Sequence, residues 1–307
     1  MVELCHLEAV GKSGDLVFFG ADQDLNRRYG APNTGGAAFV RHSTQGMLPW
    51  TQACGEPCHD VGLLTSAEGG PEVLVQNLFL ISEYIRSLGM RPALIGSDHT
   101  TSLPCLRGTQ KALGSELHYI YLDAHLDLGL HCASEDVHNG NFVSHIQRST
   151  SIRSVTNIGG RSWSTFSPVY SQIEGFVSLP GGTEPFSLQR LAEGLSGLEG
   201  QPVYVSIDAD VLDPSAAPGI LNCTEPFGFS MRELLAVCQW LAQHCDVVGG
   251  DLCEIMPQDP SRGAEQGLMR CFHALFSRPK PPMEAANPPL GAKSGHGDPK
   301  IAYSHQG

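Results

Sequence analysis

The chain has 307 residues, 41% of them hydrophobic and 17% charged, the composition of a well-packed globular protein. Its net charge of −13, from 32 acidic against 19 basic residues, disfavours nucleic acid and anionic membrane surfaces as partners. Met1-Val2-Glu3-Leu4-Cys5-His6 lacks the basic and apolar regions of a secretory signal, and no run approaches the roughly 20 apolar residues of a membrane helix, so a cytoplasmic protein is expected. The ten cysteines are scattered without a Cys-x-x-Cys pair. They read as buried reduced thiols, with pairing or metal binding by Cys54 and Cys58 as the alternative.

In chain order, Asp15 to Gly20 reads as a first strand ending in a turn. The Gly/Pro/Asn-rich loop Arg27-Arg28-Tyr29-Gly30-Ala31-Pro32-Asn33-Thr34-Gly35-Gly36 precedes a short helix from Ala37. Val73, Leu74, Leu78, Ile81, Ile85 and Leu88 form a helical stripe over 71–89. Pro92-Ala93-Leu94-Ile95 reads as a strand ending at Gly96-Ser97-Asp98-His99, and a helix over 102–113 follows. His118 to Leu122 is the next strand, then Val155 to Arg161 as strand and turn, Leu188 to Leu195 as helix, and Pro202 to Val205 as strand. A capping box, Ser230 with Glu233, opens a further helix. Asp246 to Leu252 is the last strand and 263–277 the last helix. This strand–loop–helix rhythm predicts one α/β domain over residues 1–277 with a mostly parallel sheet, where ligands bind outside the carboxyl ends of the strands. From Arg278 onward the Pro/Gly/Ser/Lys mixture has no periodicity and is expected to be a disordered tail.

Two clusters at such strand ends carry the chemistry: Asp123-Ala124-His125-Leu126-Asp127 and Ser206-Ile207-Asp208-Ala209-Asp210. Side chains alternate along a strand, so Asp123, His125 and Asp127 are expected to point one way, and Asp208 and Asp210 likewise. So many buried carboxylates are too costly to hold together without a cation. His99 adds a second imidazole. Two histidines and four carboxylates form a hard, oxygen-rich set that suits Mn2+ better than structural zinc. Six ligands suit two ions sharing carboxylates, a pair that lowers the pKa of a bound water to near neutral.

These residues resemble the ureohydrolase family, which includes arginase, agmatinase, guanidinobutyrase and formimidoylglutamase. Gly96-Ser97-Asp98-His99 resembles its Gly-Gly-Asp-His, with Ser in place of the second Gly. Asp123 to Asp127 matches Asp-Ala-His-x-Asp, and SIDADVLDP, from Ser206 to Pro214, matches Ser-x-Asp-x-Asp-x-x-Asp-Pro. Ala217-Pro218-Gly219 continues that motif, and Gly20-Ala21-Asp22 through Arg41 is similar to the family's N-terminal loop, so the likeness covers roughly residues 15–277.

The resemblance implies a three-layer α/β sandwich around a mostly parallel sheet, two Mn2+ per subunit, and a homotrimer or homohexamer. It implies that Asp123 and Asp208 bridge both ions, with His99 and Asp127 completing one and His125 and Asp210 the other. Asp127 would pass a proton to the leaving amine. His138, in Val137-His138-Asn139-Gly140-Asn141, resembles a loop histidine that shuttles protons to solvent, a solvated loop histidine being the plainer reading. Glu254 matches a glutamate that pairs with the substrate's cationic head, the alternative being an ion pair on the surface. Asn139, Asn222, Thr224 and Glu225 are further expected substrate contacts. Glu225 would take a second cationic group or stand as a solvated loop residue. Arg161, in a segment resembling agmatinase-type sequences, would grip a substrate carboxylate or form a structural ion pair.

Departures from the family narrow the substrate. Asp127 is followed by Leu128-Gly129-Leu130-His131, without the Asn that grips the α-carboxylate in arginases, which weakens arginine as substrate. Gly-Thr-Pro is replaced by Leu221-Asn222-Cys223-Thr224-Glu225-Pro226, with one residue inserted. The expectation is a hydrolase of a linear guanidino compound, agmatinase- or guanidinobutyrase-like, releasing urea and an amine. The alternatives are formimidoylglutamase-type release of formamide, a specialised-metabolism amidine hydrolase, and a catalytically inactive binding homologue. A one-ion zinc deacetylase-like hydrolase is disfavoured by the second Asp-x-Asp pair and by His99.

Overall fold

The structure, a computed structural model, describes residues 5–44, 58–64, 70–129, 136–149, 151–162, 175–179, 185–222, 225–257 and 263–277. Cys54, Thr224 and the tail from residue 278 lie outside them. Helix α1 (Cys5–Val10) leads into β1 (Leu16–Ala21), α2 (Gly36–Ser43), β2 (Cys58–Leu64), α3 (Gly70–Ser87) and β3 (Arg91–Ile95). Then come α4 (Ser102–Leu113), β4 (Leu117–Leu122), α5 (Phe142–Gln147), β5 (Ile152–Ile158), β6 (Phe176–Leu179) and α6 (Leu188–Gly194). The chain closes with β7 (Pro202–Asp208), α7 (Met231–His244), β8 (Asp246–Cys253) and α8 (Ala264–Ala274).

All eight strands pair in parallel, in the order β2-β1-β3-β8-β7-β4-β5-β6. The central strands read as unbroken apolar runs because both faces are covered. Along β4, Ile120 and Leu122 enter one core while Leu117, Tyr119 and Tyr121 enter the other. Val203, Val205 and Ile207 of β7 join the first and Tyr204 the second. The first core is closed by α2, α6, α7 and α8, through residues such as Val40, Leu191, Leu234 and Phe272. The second is closed by α1, α3, α4 and α5, through Leu7, Leu78, Leu106 and Phe142. The result is the expected three-layer sandwich. The expected capping box at α7 is present, with both the Ser230 and the Glu233 arm made.

The strand order decides where chemistry can occur. Strands β3, β8, β7 and β4 are consecutive neighbours, and the chain reverses direction of travel across the sheet between them. Their carboxyl ends therefore open side by side into one crevice. Cys58 begins the paired strand β2 and is buried, not part of a loop.

Candidate metal centre

Each of the four strand ends delivers its polar residues through a tight local turn. After β3, His99 opens a single 3-10 turn, His99–Thr101, and is buried. Asp98 beside it faces away and accepts from Leu25 N and Asn26 N at 3.0 and 3.3 Å. Strand β4 ends at Leu122, one residue before the first cluster. Asp123 Oδ1 then accepts from His125 N at 2.6 Å. The second cluster repeats the device: Asp208 ends β7 and its Oδ1 accepts from Asp210 N at 2.8 Å. The expectation that strand alternation aims these residues is thus corrected. Folding back of the carboxylate onto the amide two residues ahead sets their direction, as in an Asx turn.

The six expected ligands converge. His99 Nδ1 lies 3.0 Å from Asp123 Oδ2, 3.3 Å from Asp208 Oδ2 and 3.6 Å from Asp127 Oδ2. His125 Nδ1 lies 3.0 Å from Asp210 Oδ2 and 3.4 Å from Asp123 Oδ1. Two triplets result, His99 with Asp123 and Asp208, and His125 with Asp123 and Asp210, the ligand atoms of each lying within 4.8 Å of one another. Asp123 belongs to both. Asp127, on the rim of the first triplet, has φ 46°, the left-handed region that a non-glycine residue rarely enters.

These residues fit a pair of hard divalent cations. His99 Nδ1 and Asp123 Oδ2 face each other, buried, yet neither makes a hydrogen bond. Lone pairs aimed at a common point explain that arrangement. Burial drives the Asp208 carboxyl well above its ordinary range and Asp127 to about 6, with the neighbouring carboxylates adding to both. Burial opposes charge on His99, but Asp123, Asp127 and Asp208 hold its imidazole well above its ordinary pKa. The clustered carboxylates thus favour positive charge at this point, the condition under which a cation competes with protons for the same atoms.

Around the centre, several expected substrate contacts are engaged elsewhere. Arg161 is buried and donates to six main-chain carbonyls: Gly159, Asp210, Val211, Leu212, Glu225 and Pro226. The expected structural ion pair is thus corrected: among the described residues Arg161 bonds no carboxylate and instead clamps the 225–226 segment to the end of β7. Asn139 Oδ1 accepts from Arg28 N and Tyr29 N, and its Nδ2 donates to Tyr29 O, all within 3.1 Å. Asn222 likewise binds both main-chain groups of Ala31. The two asparagines hold the N-terminal loop down instead of presenting amides to a ligand.

His138 is buried beneath Tyr29, its Nδ1 accepting from Gly140 N at 3.1 Å and its Nε2 lying 3.4 Å from Arg28 Nη1. Burial, then the Arg28 and His145 charges, hold its pKa below the ordinary value. The solvated loop histidine of the plainer reading does not match that setting. Glu254 is also engaged by the protein on both oxygens. Its Oε1 accepts from His99 N at 3.1 Å, and its Oε2 accepts from Arg27 Nη2 and Asn222 Nδ2, both at 2.8 Å. The ion pair expected as one alternative exists, but it is buried, with 7% exposure on each side chain. Glu254 has φ 62°, a second strained position at this site.

Glu225 differs. Its carboxylate has no hydrogen-bond partner among the described residues, is 28% exposed, and lies 3.7 Å from His125 Nε2, beyond hydrogen-bond range. Arg161 fixes its main chain, and Phe227, exposed and at φ 66°, follows it at the rim. Sequence reasoning missed Arg27, whose guanidinium also binds Asp24, and Asp251 of β8. For Asp251 a signal existed, a charged residue inside an otherwise apolar strand.

A parallel sheet with two carboxylate–imidazole triplets at its switch point defines a three-layer α/β fold whose strand ends could hold metal ions. The chain belongs to the arginase family, whose model matches residues 14–269 and whose members are hydrolases acting on C–N bonds of amidines and guanidines. It is 29% identical over 260 residues to the agmatinase of Bacillus anthracis, covering 80% of this chain and 85% of that protein. It is 30% identical over 197 residues to "Arginase 1, mitochondrial" of Oryza sativa subsp. indica, covering 58% of this chain. The match spans about half, 53%, of that arginase's length. Among solved structures, Trypanosoma cruzi formiminoglutamase with Mn2+ superposes with a TM-score of 0.70 at 21% identity, covering 86% of this chain and 94% of that one.

Proposed function

We propose that the chain is a binuclear manganese-dependent hydrolase of a linear guanidino compound carrying a second positive charge, releasing urea and an amine. The observation that carries this reading is the pair of triplets sharing Asp123. His99, Asp123, Asp127 and Asp208 would hold one Mn2+, and His125, Asp123, Asp208 and Asp210 the other. Two such ions supply an activated water near neutral pH.

The chain's own residues do the rest. Asp127 Oδ2, raised to about 6, sits at the mouth of the first triplet and can hold a proton and return it to the leaving nitrogen. The strained backbone at Asp127 keeps that oxygen aimed into the centre. Glu254, paired with Arg27, supports His99 from behind and leaves cation recognition to a carboxylate with spare capacity. Glu225 is that carboxylate, and its place on the outer edge of His125 suits the far end of an extended substrate better than its reacting head.

Incubating Mn-loaded protein with a panel of guanidino and formimino compounds tests the proposal. Urea from substrates with a terminal amine is expected. Formamide as the product would move the reading to the formimino class. No turnover of any compound by protein holding two ions would leave a binding homologue.

A further inference from the structure

Behind the centre, on the sheet side of His99, a closed hydrogen-bond chain runs into the core. His99 Nε2 lies 2.8 Å from Ser206 Oγ. Ser206 Oγ donates to Asp251 Oδ1 at 2.5 Å, and Ser102 Oγ donates to the same oxygen at 2.8 Å. All four residues are buried, so no solvent competes for these groups.

The donors and acceptors of this chain have one consistent order. An ionised Asp251 only accepts, so Ser206 gives it its single hydroxyl proton. Ser206 Oγ then has only lone pairs for His99, and His99 Nε2 must carry the hydrogen between them. Nδ1 is left with its lone pair facing Asp123, Asp127 and Asp208. A lone pair directed at three carboxylates is repulsive on its own and is the arrangement a cation requires. Asp251 meanwhile is fully buried, with no cationic side chain bonded to it among the described residues, and its Oδ2 lacks a hydrogen-bond partner.

We propose that Ser206 and Asp251 are positioning residues that lock His99 in the Nε2–H tautomer for one of two bound cations. Ser102, 2.8 Å from that carboxylate and 3.2 Å from Ser206 Oγ, steadies the pair without touching His99. The proposal rests on the binuclear reading above. It adds that the two cation positions differ in support: His99 is backed by a buried serine–aspartate relay, whereas the outer nitrogen of His125, with 28% of its side chain exposed, faces only the distant Glu225 among the described residues. Removing a partner of this kind costs about 10- to 100-fold in metal affinity.

The test is a Mn2+ titration of the metal-free full chain, following both binding steps by calorimetry and the bound Mn2+ signal by electron paramagnetic resonance. Wild type, S206A, D251N, S102A and S206T are compared, with H99A marking which step belongs to His99. Two ions are expected in the wild type. S206A and D251N should weaken the His99 step about 10- to 100-fold and leave the other step unchanged. S102A should stay near wild type, and S206T, which keeps the hydroxyl, should restore affinity. Equal weakening of both steps, or equal effects of S102A and S206A, would overturn the relay, since that is the pattern of general loosening. Fewer than two ions in the wild type would instead sink the binuclear reading.

Discussion

The metal centre and the loops that roof it are built from the same residue types and use them in opposite ways. At the ends of β3, β4 and β7, aspartates and histidines turn their side chains toward one another and leave buried atoms such as His99 Nδ1 without a hydrogen-bond partner. In the roof, Arg161, Asn139 and Asn222 turn toward main-chain groups and are satisfied by them. The difference is that between a site that awaits a ligand and a scaffold that has found its partners. A polar side chain near a binding site is a reader only when the fold leaves its valences open. By that measure Glu254 is held by Arg27 and His99, while the Glu225 carboxylate keeps its valences open among the described residues.

The contrast can be broken experimentally. The largest effect is expected at Asp123, the ligand both triplets share: D123A should reduce bound Mn2+ from two per chain to near none, whereas D210A should lose one. Elemental analysis after dialysis reads this directly, and equal losses would show that Asp123 is not shared. Next is Arg161. R161M leaves the buried carbonyls of Gly159, Asp210 and Leu212 without this donor and should cost at least about 3 kcal/mol in urea unfolding, at about 1–3 kcal/mol for each unsatisfied group. An unchanged stability with a raised KM would restore Arg161 as a substrate contact.

Glu225 comes third. E225Q should raise KM for a substrate with a terminal amine about 10-fold, or about 1.4 kcal/mol, with little change in kcat. A fall in kcat at constant KM would place Glu225 behind His125 instead. The smallest effect is at Asn139, where N139A should cost about 1 kcal/mol of stability through the loosened N-terminal loop, measured by the same unfolding experiment.

Sequence and structure agree where physics leaves few choices. Strands β1, β3, β4, β7 and β8 are legible because burial on both faces demands apolar runs such as Leu117–Leu122. Strand β2, Cys58–Leu64, mixes polar and apolar residues at the sheet edge, and β6, Phe176–Leu179, has only four residues. Both owe their form to pairing with a neighbour, which periodicity does not reveal. The same holds for α5, six residues long and packed through Phe142, Val143 and Ile146.

At the site, the ligand residues were legible because clustered carboxylates and imidazoles have few stable uses without a cation. The geometry that aims them was not, since Asx-type turns at Asp123 and Asp208 replace strand alternation. Glu254 and Arg27 are 227 positions apart, and only the folded chain shows that they pair. Asn139 and Asn222 carry amides that suit a ligand and a peptide equally, so residue type alone did not separate the roles.

The most direct test of the central claim is the metal content of the full-length protein after Mn2+ loading and removal of free metal. The two triplets joined through Asp123 predict two Mn2+ per chain, falling to one in H125A with the fold intact by circular dichroism. One ion per fully active wild-type chain, or two ions retained in H125A, would contradict it.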